Sequence, residues 1–175
     1  MFRTRKLAAV SIAALLLLTG CGQTIEGTPR AAGIEAGSDQ FRSLLQECNA
    51  VSDDQIAQVV GGSQIARGFF GAICRWDVAG PTGAVKVTFN WFESGSLDAE
   101  RAANEGLGYQ VEDSTVSSRR AIVIRQPDDP SSCGVAAGSP DVGVIGWWVQ
   151  YRPGAPADAC DAATKLMAIG LNTAA

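Results

Sequence analysis

Five cysteines, at positions 21, 48, 74, 133 and 160, constrain the fold of this 175-residue chain more than any other feature. Cysteines pair as structural disulfides in oxidising compartments outside the cytoplasm, whereas cytoplasmic thiols are kept reduced. What these cysteines do therefore depends on whether the chain is exported, and the N-terminal residues bear on that question.

The first 20 residues have the pattern of a secretory signal peptide. Arg3, Arg5 and Lys6 precede an uncharged run at 7–18, and its 12 residues are too few to cross a bilayer core of about 30 Å as a helix. The next residues, LTGC at 18–21, resemble the lipobox of bacterial lipoproteins. This resemblance implies cleavage before Cys21 and a diacylglyceryl thioether on Cys21. The alternatives are an ordinary signal peptide with a chance cysteine and an uncleaved anchor.

The rest of the chain is predicted to form a lipidated flexible tether at 21–38 and a single α+β extracytoplasmic domain at 39–175. Residues 22–38 are rich in Gly, Ala, Thr and Pro and show no apolar period. Removing residues 1–20 removes three of the 14 basic residues and none of the 18 acidic residues, which leaves a formal net charge of −7. An anionic leaflet does not attract such a chain. We therefore expect a location at the cell membrane, on its extracytoplasmic face, through lipid on Cys21.

The four remaining cysteines are predicted to form structural disulfides. Three connectivities are possible, and we favour Cys48 with Cys74 and Cys133 with Cys160, because each pair closes a loop of about 26 residues between neighbouring elements. A redox or metal centre typically uses CxxC pairs or mixed Cys and His ligands, and the sequence contains neither.

Helix signals occur in four segments. An apolar stripe marks 41–48, Ser52 and Gln55 form a capping box before 53–60, and Ser96 caps a segment that ends at Leu107. Asp158 precedes the last helix, in which Cys160, Ala163, Met167 and Leu171 share a face.

Strand signals occur at 69–78, 84–92, 109–111, 121–125 and 143–151, with Cys133 in an irregular stretch between the last two. The order of the elements predicts an α+β fold, an antiparallel sheet with helices packed mainly on one face and linked by two disulfides.

Composition and motifs argue against catalysis. The chain has no His, which removes the commonest general base and metal ligand, and it has no GxSxG, P-loop or GxGxxG motif. The adjacent carboxylates Asp128 and Asp129 precede Pro130 in a predicted turn, where such residues typically serve turn geometry. We expect no catalytic residue, no metal and no cofactor. The acidic net charge argues against nucleic acid as a partner.

The candidate binding surface comprises Trp148, Arg119 and Arg120. Alternation in the last strand predicts Ile145, Trp147, Val149 and Tyr151 on the core face, which leaves Trp148 wholly or partly exposed on the other face. Exposed aromatic residues often anchor partners. Arg119 and Arg120 form a small basic cluster that suits an anionic headgroup or an acidic partner, although solvated charges that protect a strand are the alternative.

The chain resembles mycobacterial cell-envelope lipoproteins of the LprB and LprC type. The features that carry this resemblance are the lipobox, the tether, Cys48 followed by NAVS, the CRW at 74–76, the CG at 133–134 and a terminal helix with Cys160. That group consists of a domain of unknown function, distantly similar to the extracellular sensor domain of a mycobacterial receptor kinase. The resemblance carries no catalytic residue to this chain. The sequence therefore predicts a non-enzymatic binding or accessory module for a partner protein or an apolar envelope ligand. The alternatives are a carboxylate-dependent hydrolase of cell-wall polysaccharide and an accessory sensor for envelope signalling.

Overall fold

A computed structural model describes residues 48–70, 73–81 and 83–173, without the side chains of Phe69 and Phe70. In chain order the elements are α1 (Asp53–Val60), β1 (Gln64–Phe70), β2 (Ile73–Gly80), β3 (Gly83–Phe92), α2 (Leu97–Gly106), β4 (Gln110–Val116), β5 (Arg119–Gln126), β6 (Asp129–Gly138), β7 (Val144–Gln150) and α3 (Ala159–Thr173). Residues 1–47 lie outside the described residues. They include the predicted signal peptide, the predicted tether, Cys21 and most of the first predicted helix.

The seven strands form one antiparallel sheet in the order β1-β2-β3-β7-β6-β5-β4. Two runs of sequence-adjacent strands, β1 to β3 and β4 to β7, meet where β3 pairs with β7. Strand β7 therefore lies at the centre of the sheet, where the two halves of the sequence join.

One face of the sheet carries most of the core. Trp76, Phe89 and Trp147 pack there against α1 and α3, which contribute Ile56, Val60, Leu166 and Met167 among others. We call this side the core face. The prediction of an α+β fold with helices mainly on one face is confirmed.

The third helix, α2, lies over the other face. Leu97 from α2 and Tyr109, which follows it, pack on a smaller cluster formed by Ile122, Ile124, Ala136 and Val144. Helix α2 contacts β4, β5 and β6. The part of this face formed by β2, β3 and β7 is therefore not covered by a helix of the described chain.

The helix ends follow the predicted signals. The Ser52 hydroxyl accepts from the backbone N–H of Gln55, the Gln55 side chain accepts from the backbone N–H of Ser52, and Gly61 ends α1 at a φ of 75°. Asp158 accepts hydrogen bonds from the backbone N–H groups of Cys160 and Asp161 and so caps α3.

Two strand predictions were wrong. The segment predicted as one strand at 69–78 is a hairpin, with β1 ending at Phe70 and β2 beginning at Ile73. Strand β1 is an edge strand, and its residues 64–68 are exposed or half-buried, so this part of it lacks the apolar alternation of a core strand. Cys133 lies within β6 and not in an irregular stretch. Strand β6 consists largely of small residues of low strand propensity, yet Ser132 to Ala137 are all buried.

Candidate functional site

The four domain cysteines form the two predicted disulfides, Cys48–Cys74 and Cys133–Cys160, with Cα–Cα distances of 5.9 and 5.0 Å. The first links the segment before α1 to β2, and the second links β6 to the first turn of α3. Three of the four cysteines are almost fully buried, and Cys160 is half-buried. Their position in the core assigns them a structural role.

The two adjacent tryptophans of β7 lie on opposite faces, as predicted. Trp147 is 1% exposed and lies on the core face, with its ring centroid 5.6 Å from Trp76 and 4.9 Å from Phe89. Trp148 is half-buried on the other face. Its ring lies over Gly134 of β6 and meets Tyr109 edge-on at 6.2 Å.

The two arginines of the predicted binding surface do not lie beside Trp148. Arg119 and Arg120 begin β5 and point to opposite faces, since successive side chains of a strand alternate. Arg120 forms an exposed ion pair with Asp98 at 3.5 Å. Through the register of β5, β6 and β7, Trp148 is level with Ile124, about 13 Å along the strand from Arg120.

Trp148 instead borders a surface that we call the open patch. It consists of the residues of β2, β3 and β7 that face away from the core: Ile73, Arg75, Asp77, Lys86, Thr88, Asn90, Phe92, Gly146, Trp148 and Gln150. Arg75, Thr88 and Trp148 form one cross-strand row, and Ile73, Asn90 and Gly146 form the next. Ile73 and Phe92 are 38% and 43% exposed, so the open patch carries apolar as well as polar side chains at its surface.

Asn90 is the most unusual member of the open patch. It is only 9% exposed, and its amide has no hydrogen-bond partner among the described residues. The amide fits against Gly146, where a β-carbon would lie 2.7 Å from Oδ1 and 3.0 Å from Nδ2. The buried side-chain atoms without a partner in the described chain are Arg75 Nε, Ser132 Oγ and Trp147 Nε1, so the Asn90 amide still reaches solvent at the surface of the open patch.

Arg75 adds a second unpartnered group. Its NH2 nitrogen donates to Asp77 at 3.0 Å, whereas its Nε is buried without a hydrogen-bond partner. Thr88, opposite Arg75 in the register, is half-buried. The row therefore places a guanidinium with a buried Nε, a half-buried hydroxyl and a half-buried indole side by side.

A cleft of about 480 Å³ continues the open patch at one end of the sheet. The cleft is lined by the patch residues Asp77, Lys86 and Gln150 and by Asp128, Asp129 and Arg152. Asp129 is held by its own turn, since it accepts from the backbone N–H and the hydroxyl of Ser131.

A larger depression of about 670 Å³ lies beside the start of α3, between Arg125, Ser132, Asp158 and Cys160. The Asp158 carboxylate already accepts from two N–H groups of the first turn, and Arg125 pairs with Glu112 at 2.7 Å. Its charged groups are therefore largely satisfied within the protein, whereas the Ser132 hydroxyl is buried there without a hydrogen-bond partner among the described residues.

Tyr151 is the described group with a shifted pKa. Burial raises the pKa of its phenol above 10.0, and the nearby carboxylates of Asp161 and Asp158 raise it further. The hydroxyl donates to the backbone carbonyl of Val60 at 3.5 Å, which connects the end of β7 to α1. This residue belongs to the core and not to the open patch.

A protein-family model described as "Protein of unknown function (DUF3558)" matches residues 16–172. The chain belongs to this family. The matched range includes both disulfides and every residue of the open patch in this DUF3558 protein. Neither a curated protein nor a solved structure matches the chain.

Within the described residues of the DUF3558 protein, no group of three or more His, Cys, Asp or Glu side chains is placed to hold a metal ion. No described helix is both long and apolar enough to cross a membrane. The chemistry that the open patch offers is hydrogen bonding and apolar contact, from Asn90, Arg75, Thr88 and Trp148. Sequence reasoning found Trp148 but missed Asn90 and Arg75, because their burial depends on Gly146 and on the register of three strands.

Proposed function

We propose that this DUF3558 protein is a lipid-anchored cell-envelope lipoprotein, of the LprB and LprC type and of actinobacterial origin, that works as a non-enzymatic binding module. The signal-peptide pattern and the lipobox-like LTGC at 18–21 support the anchor at Cys21. The two disulfides support export, because such bonds persist in oxidising compartments.

The unpartnered amide of Asn90 beside half-buried Trp148 is the observation that carries the binding role. The amide is held against Gly146 and still reaches solvent, so its donor and its acceptor are available to a ligand. A group that is already fixed in place loses little conformational entropy on binding. The exposed side chains of Ile73 and Phe92 on the same patch provide apolar area for the same ligand.

A hydrolase is the second candidate, because Asp77, Asp128 and Asp129 line one cleft. Carboxylate pairs about 5–9.5 Å apart are the basis of glycoside hydrolysis. An accessory sensor is a further form of the binding role, in which the partner is a signalling protein. Substituting each aspartate with Asn distinguishes hydrolysis from binding. A hydrolase variant retains its ligand but no longer turns over wall polysaccharide, whereas a binding module has no such turnover to lose.

The anchor is tested by palmitate labelling in cells. We expect the wild-type chain to take up label and to sediment with membranes, and Cys21→Ala to do neither. Label on Cys21→Ala, or membrane sedimentation without label, contradicts lipid attachment at this residue.

The binding face is tested by placing the photo-cross-linking amino acid p-benzoylphenylalanine at Ile73 of the open patch. Leu107, which is 69% exposed and follows α2, is the matched control position. We expect an envelope component to be captured in cells from position 73 and not from position 107. Equal capture at both positions, or none at 73, contradicts a ligand at the open patch.

A further inference from the structure

We propose that the ligand of the open patch is an uncharged saccharide, a proposal that rests on the binding function above. Saccharides present hydroxyl groups that both donate and accept hydrogen bonds, and flat C–H faces that pack on aromatic rings. The open patch offers the complement of both properties within two adjacent rows of side chains.

The polar groups of the patch match hydroxyls better than they match an acyl chain. Asn90 supplies a donor and an acceptor, and Thr88 supplies a hydroxyl. An acyl chain over these residues would cover the Asn90 amide and the Thr88 hydroxyl without forming hydrogen bonds to them.

The apolar groups surround the polar ones. Trp148 borders the patch on the side of α2, and the exposed side chains of Ile73 and Phe92 lie on the neighbouring strands. A pyranose ring that donates to Asn90 therefore has apolar surface beside it for its C–H groups.

The charges of the patch favour an uncharged ligand. The Arg75 guanidinium is paired with Asp77 at 3.0 Å, and Lys86 lies opposite Asp77 in the register of β2 and β3. Two cations around one carboxylate leave a weak net charge. A phosphate or an acidic polymer would have to compete with Asp77 for the same guanidinium.

The dimensions fit a short oligosaccharide. Three neighbouring strands about 4.8 Å apart and residue pairs about 6.8 Å apart along each strand give a footprint of one or two pyranose rings. The cleft of about 480 Å³ is lined in part by Asp77, Lys86 and Gln150 of the patch, so it adjoins the footprint and offers room for a longer chain.

Nuclear magnetic resonance on the full chain in detergent micelles tests the proposal. The probes are mannotetraose, maltotetraose and cellotetraose as uncharged saccharides, tetragalacturonate as an acidic one, and palmitate as an acyl ligand. Each is added up to about 10 mM, which saturates a site with a Kd of about 1 mM. The signals observed are the side-chain amide of Asn90 and the indole N–H of Trp148.

We expect at least one uncharged tetrasaccharide to shift both signals, and Asn90→Ala to weaken its binding about tenfold. Leu107→Ala, outside the patch, should bind as the wild type does. Shifts confined to other residues, or no shift with any uncharged saccharide, overturn the saccharide proposal. Shifts of Asn90 and Trp148 with palmitate or tetragalacturonate alone overturn it too, but leave the binding function standing. The binding function itself fails if cross-linking from position 73 captures nothing, or captures no more than cross-linking from position 107.

Discussion

The indole of Trp148 lies over the backbone of Gly134, its cross-strand partner in β6, so closely that a β-carbon on Gly134 would be 2.5–2.8 Å from three ring atoms. Only glycine permits this approach. The position of Trp148 at the border of the open patch thus depends on a glycine in the neighbouring strand.

Gly134→Ala should displace Trp148 from the sheet and lower the free energy of unfolding by about 1–3 kcal/mol, the usual cost of overpacking. Urea denaturation measures the loss, and tryptophan fluorescence reports the displaced ring. Gly106→Ala is the control, because a β-carbon on Gly106 has no atom within 4 Å and alanine favours the helix that contains it. If both variants unfold at the wild-type urea concentration, the close contact with Trp148 is wrong.

Trp147→Ala and Trp148→Ala should differ in stability. Trp147 is 1% exposed, stacks on Trp76 and contacts the tilted ring of Phe89, so its truncation should cost about 3–5 kcal/mol. Trp148 is half-buried, so its truncation should cost less than half as much while it weakens ligand binding. Thermal melts of the two variants distinguish the residues. Equal losses would show that Trp148 is a core residue and would remove it from the binding face.

The opposite orientation of these tryptophans could be predicted because alternation in a strand is a local property. The pairing of the cysteines followed similarly from loop length. Strands β1 and β6 could not be predicted from local patterns. Gln64, Ala66 and Arg67 of β1 are exposed at a sheet edge, and β6 uses glycine and alanine because Trp148 and α3 pack closely against it.

Asp53 should contribute to stability through two partners. Its Oδ1 accepts from the indole N–H of Trp76 at 2.9 Å and from Arg67 at 2.7 Å. Trp76 is fully buried, so Asp53→Ala leaves its N–H without a partner and should cost about 1–3 kcal/mol. Asp53→Asn retains an acceptor oxygen and should lose less, as measured by urea denaturation. A loss in Asp53→Asn that equals that of Asp53→Ala would assign the effect to charge and not to the hydrogen bond.

Stability should fall above pH 10 because of Tyr151. Its pKa in the folded state is raised above 10.0, so the unfolded chain releases the phenol proton first as the pH rises. The contribution of this group is therefore complete below pH 10 and is lost as the pH rises through the folded-state pKa. Tyr151→Phe should show a smaller decline than the wild type in melts between about pH 9 and pH 11. Identical declines would exclude Tyr151 as the cause.

The candidate site was only partly predictable for a similar physical reason. Trp148 is conspicuous in the sequence, and Lys86, Thr88 and Asn90 alternate with the apolar residues of β3. The burial of Asn90 depends on Gly146 of β7, which is 56 residues away in the chain. Arg119 and Arg120 were selected because they are adjacent in sequence, but adjacent residues of a strand point to opposite faces.

The free energy of unfolding of Asn90→Leu tests the central claim most directly. If the amide is kept for a ligand, an apolar side chain of similar shape should leave the protein as stable as the wild type or more stable, while cross-linking from position 73 is lost. Asn104→Leu is the control, since the equally buried amide of Asn104 donates to the Glu100 carbonyl at 2.8 Å and to its carboxylate at 3.1 Å, and should lose stability. A loss of more than about 1 kcal/mol in Asn90→Leu, with cross-linking unchanged, would show that Asn90 serves the fold and would contradict a ligand at the open patch.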